Sequence, residues 1–180
     1  MKNINIAMSL VAVFVASVAS TNVMADENTG TVNFTGSVSK ITCNIEPEIN
    51  GGEVNTIQLG VVGADETGDL VSFSLRPTPG SSCDLGDDTT GIKSSSVTWV
   101  SSALNSVGLG NQTGAASDAY ALLKSAGSSP SDVTRDNPVA SFTRADLTGN
   151  AGAMPFTIQL KAGKTVGAYA ASATYLVAYE

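Results

Sequence analysis

The chain has 180 residues, two cysteines, no histidine, and 9 Lys+Arg against 16 Asp+Glu, giving a net charge of −7 at pH 7. The length suits one domain of ordinary size. The acidic balance speaks against nucleic acid and anionic membrane surfaces, which require a basic face, and the lack of histidine excludes Ser-His-Asp and Cys-His nucleophiles and His-based metal centres.

The first feature in chain order is a leader. Lys2 supplies a positive start, residues 4–18 are a nearly continuous apolar run, and Val23-Met24-Ala25 is a small-residue cleavage signal just before Asp26-Glu27. This pattern predicts a secretory signal peptide over residues 1–25. The run is short for a membrane span and no later one is longer, so no membrane insertion is expected. Cleavage removes only Lys2 among the charges, leaving eight basic and sixteen acidic residues.

Residues 31–38 are the first predicted strand. Gly30, Val32, Phe34, Gly36 and Val38 share one face of it, while Thr31, Asn33, Thr35 and Ser37 share the other, a strict period of two. Two readings fit: a first strand packed on its own core, or a strand given to another molecule. The glycines on the apolar face favour the second, because glycine weakens a strand and often marks a close approach of another backbone.

Cys43 and Cys83 follow. In an exported protein an even pair reads as a disulfide. Closing a loop of about 40 residues contributes roughly 4 kcal/mol in the chain-entropy model. The alternative, a metal pair, is a poor zinc site without histidine.

Further short alternating segments cover residues 55–61, 71–75, 96–100, 119–123, 155–160 and 168–179, separated by Gly, Pro, Asn and Asp clusters. Residues 118–124 read equally as a helical turn, and residues 80–91 read as an exposed loop. Short strands between regular turn signals predict an all-β sandwich or barrel. In the last segment Gly167, Tyr169, Ala171, Ala173, Tyr175, Val177 and Tyr179 share one face. A strand running to the final residues is expected to be tied into a sheet.

No catalytic residue, metal ligand or cofactor is predicted. Glu46 with Glu48 and Asp65 with Glu66 fall in predicted turns and read as solvated charges. Asp84, Asp87 and Asp88 lack EF-hand spacing. Asn111-Gln112-Thr113 fits a glycosylation sequon, a three-residue pattern that carries little weight by itself. Trp99 reads as a core or groove-edge residue, with carbohydrate stacking as the alternative.

The two ends and the cysteines together resemble the pilins of chaperone–usher fimbriae, such as the subunits of type 1 and P pili. Residues 30–38 look like that family's N-terminal extension, Cys43 and Cys83 match its two half-cystines, and Gln58-Leu59-Gly60 looks like its motif after the first cysteine. Gly167 and Tyr179 fall where the family has a glycine fourteenth from the end and a penultimate tyrosine. Residues 84–146 match in composition alone.

The resemblance implies a signal peptide (1–25), a donor-strand extension (26–39) and a pilin domain (40–180). It implies an incomplete immunoglobulin-like β-sandwich, completed by a donor strand from a neighbouring subunit through β-augmentation. Gly30, Val32, Phe34, Gly36 and Val38 would form the donor strand. Gly167, Tyr169, Tyr175, Val177 and Tyr179 would line the acceptor groove and meet a periplasmic chaperone before an outer-membrane usher. The implied function is a structural subunit of adhesive surface fimbriae on a Gram-negative bacterium, with a host receptor as a further partner. The alternative is a carbohydrate-binding adhesin or a periplasmic lectin-like module.

Overall fold

Residues 43–78 and 92–180 are described here from a computed structural model. The leader, the segment carrying Gly30 to Val38, Cys83 and the expected loop over residues 80–91 lie outside the described residues.

Period-two burial builds most of the fold. Strand β3 (Thr67–Pro77) buries Phe73 and Leu75; β4 (Ser94–Val100) buries Ser95, Val97 and Trp99; β6 (Tyr120–Ser125) buries Ala121, Leu123 and Ser125. Strand β8 (Val139–Thr143) buries Ala140 and Phe142, and β9 (Met154–Lys161) buries Met154, Phe156, Ile158 and Leu160. Successive side chains point to opposite faces, so each strand presents one apolar row.

Five further strands complete two antiparallel sheets: β1 (Ile45–Ile49), β2 (Gly52–Glu53), β5 (Leu109–Gly110), β7 (Asp132–Val133) and β10 (Thr174–Tyr179). The larger sheet runs β2-β1-β3-β9-β6-β5, with β7 also on β6; the smaller runs β10-β4-β8. The two apolar faces meet through aromatic rings. Trp99 of the small sheet stands edge-on to Phe156 (5.3 Å between centroids) and Phe73 (6.3 Å) of the large one, and Phe142 meets Phe156 at 5.5 Å. Such pairs add about 0.5–1.5 kcal/mol each beyond the area they bury.

Helix α1 (Arg144–Gly149) follows β8 directly. The Asp146 carboxylate accepts hydrogen bonds from the Thr143 N–H and hydroxyl at the helix N-cap and from the Ser128 N–H and hydroxyl, all at 2.7–2.9 Å. Burial pushes the Asp146 carboxyl up, but these four bonds outweigh it and hold its pKa below the ordinary 3.8.

Several expectations are corrected. Residues 118–124 form no helical turn, because β6 pairs with β9 from Tyr120 to Ser125. Glu46 and Glu48 sit in β1 rather than a turn, and Glu48 pairs with Arg76 of β3 at 2.9 Å. Residues 55–61 are not in a strand, and of residues 168–179 only Thr174–Tyr179 are. Both segments keep the alternation of a strand yet, among the described residues, lack a ladder partner along one edge.

Candidate functional site

Those two segments are the rims of a groove of about 1040 Å³. Its floor is apolar: Phe73, Trp99, Leu123, Ile158 and Leu160. Ile57, Leu59 and Val62 turn inward from one rim, and Tyr169, Ala171 and Ala173 from the other.

Each rim is pinned at both ends. At one end Val54 N–H donates to the Pro47 carbonyl and the Tyr175 phenol donates to the Ile45 carbonyl, both at 2.8 Å. At the other, Asp65 N–H donates to the Gly163 carbonyl and Ala162 N–H to the Glu66 carbonyl, both at 2.9 Å. The Asp118 carboxylate secures this end by accepting the N–H groups of Lys164 (2.8 Å) and Thr165 (3.2 Å). Desolvation raises its pKa, but these bonds prevail and leave it below the usual carboxylate value.

Between the pins the second rim uses one edge only. Ala168, Ala170 and Ser172 turn their backbone groups outward to the loop over residues 111–116 and to Ser101. In an extended chain the backbone groups of alternate residues point to opposite edges. The N–H and C=O groups of Tyr169, Ala171 and Ala173 therefore face the groove, where they have no partner among the described residues. On the first rim the backbone of residues 55–62 likewise forms no hydrogen bond among the described residues. The buried indole N–H of Trp99 on the floor also lacks an acceptor among the described residues.

Two glycines allow the outer contact. Gly167 has φ +149° and a Cβ there would lie 2.5 Å from the Ala115 Cβ; Gly114 has φ +125° and a Cβ there would lie 2.2 Å from the Ala168 carbonyl oxygen. Side chains would force the loop and rim apart.

The lining holds little charge. Glu46 and two tyrosines are its ionisable members. Tyr169 donates to the Leu109 carbonyl at 2.8 Å, and burial pushes its phenol pKa up to about 12. Burial, then the negative charge of Glu46, raises that of Tyr175. An apolar, nearly uncharged slot between two unpaired backbone edges can receive one extended segment of chain.

Of the residues expected to line such a groove, Gly167 and Tyr169 lie on the rim and Tyr175 at one end. Val177 and Tyr179 lie farther along β10, paired with Val97 and Ser95, and do not line it. Trp99, 7% exposed, is on the floor rather than on an open carbohydrate-stacking surface. The sequence reading missed Ile57 and the role of Asn111 and Gln112 beside the rim; the alternation over residues 55–61 was the available signal for the first.

Comparison with known proteins follows the same line. The chain is 37% identical over 153 residues to the F107 fimbrial protein of Escherichia coli, an alignment covering 84% of this chain and 86% of that protein. It is 31% identical over 183 residues to the K99 fimbrial protein of Escherichia coli, covering 95% and 98%. The chain belongs to the fimbrial protein family. No family model matches it. The fold of this fimbrial subunit matches the crystal structure of the P pilus rod subunit PapA with a TM-score of 0.53 at 16% identity, covering 84% of this chain and all of that one. The fimbrial subunit is thus a pilin-fold β-sandwich with an open groove in its surface.

Proposed function

We propose that this fimbrial subunit is a structural rather than catalytic protein, and that it polymerises by strand exchange. Removal of residues 1–25 frees residues 26–39, which lie in the groove of a neighbouring subunit. The observation that carries this reading is the pair of unpaired backbone edges on either side of an apolar floor.

Residues 30–38 would span about 30 Å as one extended strand. On this reading Val32, Phe34 and Val38 fill the floor, and Gly30 and Gly36 sit where backbones crowd. Backbone hydrogen bonds supply affinity and the alternate side chains supply register. Because an open edge invites aggregation, a periplasmic chaperone fills the groove first, an outer-membrane usher exchanges it for the next subunit, and the product is a cell-surface fimbrium that mediates adhesion. A disulfide between Cys43 and Cys83 would brace the start of β1 beside the groove.

The test is Phe34→Asp, which places a charge on the apolar floor and forfeits roughly 1.5–3 kcal/mol of burial. Folded subunit should accumulate in the periplasm while surface fibres disappear under electron microscopy. Loss of folded subunit itself would assign the segment to the subunit's own core and remove the exchange reading.

A further inference from the structure

The outer edge of the Tyr169 rim is held in an unusual manner. Its backbone N–H groups, from Ala170 and Ser172, are both received by side-chain amide oxygens. Ala170 N–H donates to Asn111 Oδ1 at 3.0 Å, and Ser172 N–H donates to Gln112 Oε1, which also accepts the Ser172 hydroxyl at 3.0 Å. The carbonyls of the same edge are satisfied too. Ala168 C=O accepts from Ala116 N–H (3.2 Å) and Asn111 Nδ2 (3.3 Å), and Ala170 C=O accepts from the N–H groups of Gln112 (2.9 Å) and Thr113 (3.1 Å). Ser101 Oγ donates to Ser172 C=O at 2.6 Å.

The two amides are themselves fixed. Asn111 Nδ2 also donates to the carbonyls of Gly114 (3.1 Å) and Ala116 (3.0 Å), so its side chain staples the loop to the rim. Gln112 Nε2 donates to Ser102 Oγ at 3.0 Å, which sets the direction of its oxygen. An amide side chain offers both a donor and an acceptor, and so can stand in for the peptide groups of an adjacent strand.

We propose that Asn111 and Gln112 are positioning residues for the groove: their side-chain amides act as a substitute ladder on the outer edge of the rim. By satisfying Ala168, Ala170 and Ser172 outward, they lock the extended conformation that aims the N–H and C=O of Tyr169, Ala171 and Ala173 into the slot. Without them the rim keeps its carbonyl bonds to the N–H groups of Gln112, Thr113 and Ala116 and to Ser101, but the N–H groups of Ala170 and Ser172 are released and its inward groups are held less firmly in line for an incoming strand. The inference rests on the strand-receiving reading given above.

Amide hydrogen exchange on fibres assembled from the exported subunit tests it. In wild-type fibres the amides of Tyr169, Ala171 and Ala173 should be protected, because the inserted strand pairs with them. Gln112→Met keeps the length and removes both polar atoms; Gln112→Glu keeps the oxygen that receives Ser172. In Gln112→Met, exchange at Tyr169, Ala171 and Ala173 should rise by about tenfold, a factor worth 1.4 kcal/mol and of the order of one net hydrogen bond. Amides of β3 and β9 should stay as they were, and Gln112→Glu should stay near wild type. A general loss of protection that includes β3 and β9 in Gln112→Met would show a merely structural residue and overturn the proposal, as would unchanged exchange in both Gln112→Met and Asn111→Leu. If Gln112→Met yields no fibres, Gln112→Glu decides alone: wild-type protection of the three amides supports the clamp, and loss of it overturns it. Unprotected amides at Tyr169, Ala171 and Ala173 in the wild type would sink the strand-receiving reading itself, whereas protection in the wild type with unchanged variants sinks only the role of the amides.

Discussion

The phenol of Tyr175 donates to the backbone carbonyl of Ile45 at 2.8 Å and so joins the last strand to the first at one end of the groove. Its ring also stands edge-on to Trp99, with centroids 5.7 Å apart. Tyr175→Phe retains the ring and deletes the hydroxyl. The expected loss is about 1 kcal/mol, the net value of a hydrogen bond. Urea denaturation should show a lower midpoint with an unchanged slope; an unmoved midpoint would mean that the bond contributes nothing to stability.

Gly167 is expected to tolerate no side chain. Gly167→Ala meets both the Ala115 contact and a backbone angle that residues with a Cβ rarely adopt, and strain of this kind costs on the order of 1–3 kcal/mol. Thermal unfolding should shift down, and further for Gly167→Val. An Ala variant as stable as the wild type would show that the rim moves aside without penalty.

Alkali should loosen the C-terminal segment. The phenols of Tyr169 and Tyr179 are raised from 10.0 to about 12, in both cases chiefly by burial. A raised pKa in an acid means that the fold favours the neutral form, so this stabilisation is intact below pH 10 and fades as pH rises toward 12. Tyrosinate absorbance and loss of near-ultraviolet dichroism should rise together in that window. Titration of Tyr169 and Tyr179 near 10 with the fold intact would contradict it.

Acid should act through Asp146. Its pKa is depressed in the folded chain, so its contribution is present above the ordinary 3.8 and is lost as pH falls through the folded value. Asp146→Ala removes the carboxylate half of the capping box of α1 and strands the Ser128 and Thr143 donors, at a cost of about 1–3 kcal/mol. Stability measured from pH 6 to pH 2 should fall less steeply in the variant than in the wild type. Parallel curves would assign the acid limb to other carboxylates.

The sequence was legible where one face of a strand is buried. The alternating face from Tyr169 to Tyr179 turns inward as the period predicts; β3, β4 and β9 contain their predicted segments, and β6 starts one residue inside its own. It was illegible where side chains replace strands. Nothing in Asn111-Gln112 distinguishes a surface amide from one that completes a backbone edge, because the partner is distant in sequence, Ala170 lying 59 positions after Asn111. Helix α1 was overlooked although Thr143-Arg144-Ala145-Asp146 has the spacing of a capping box, since six residues carry no helical period. Segments 55–61 and 168–173 were read as strands because alternation reports burial, whereas a ladder also needs a neighbour.

The pins at the two ends of the groove carry a geometric consequence. Residues 54–64 begin beside the Tyr175 end and finish at Gly163, while residues 162–173 start there and return toward Tyr175. The two rims therefore run in opposite directions. A segment laid between them must be parallel to one and antiparallel to the other, whichever way it points. Reversing the guest exchanges the two ladder types but never removes the parallel one. Parallel hydrogen bonds are slanted and evenly spaced, and antiparallel ones alternate close and wide. An inserted chain would thus be gripped by two different lattices, and its direction could be read from which rim carries the evenly spaced bonds.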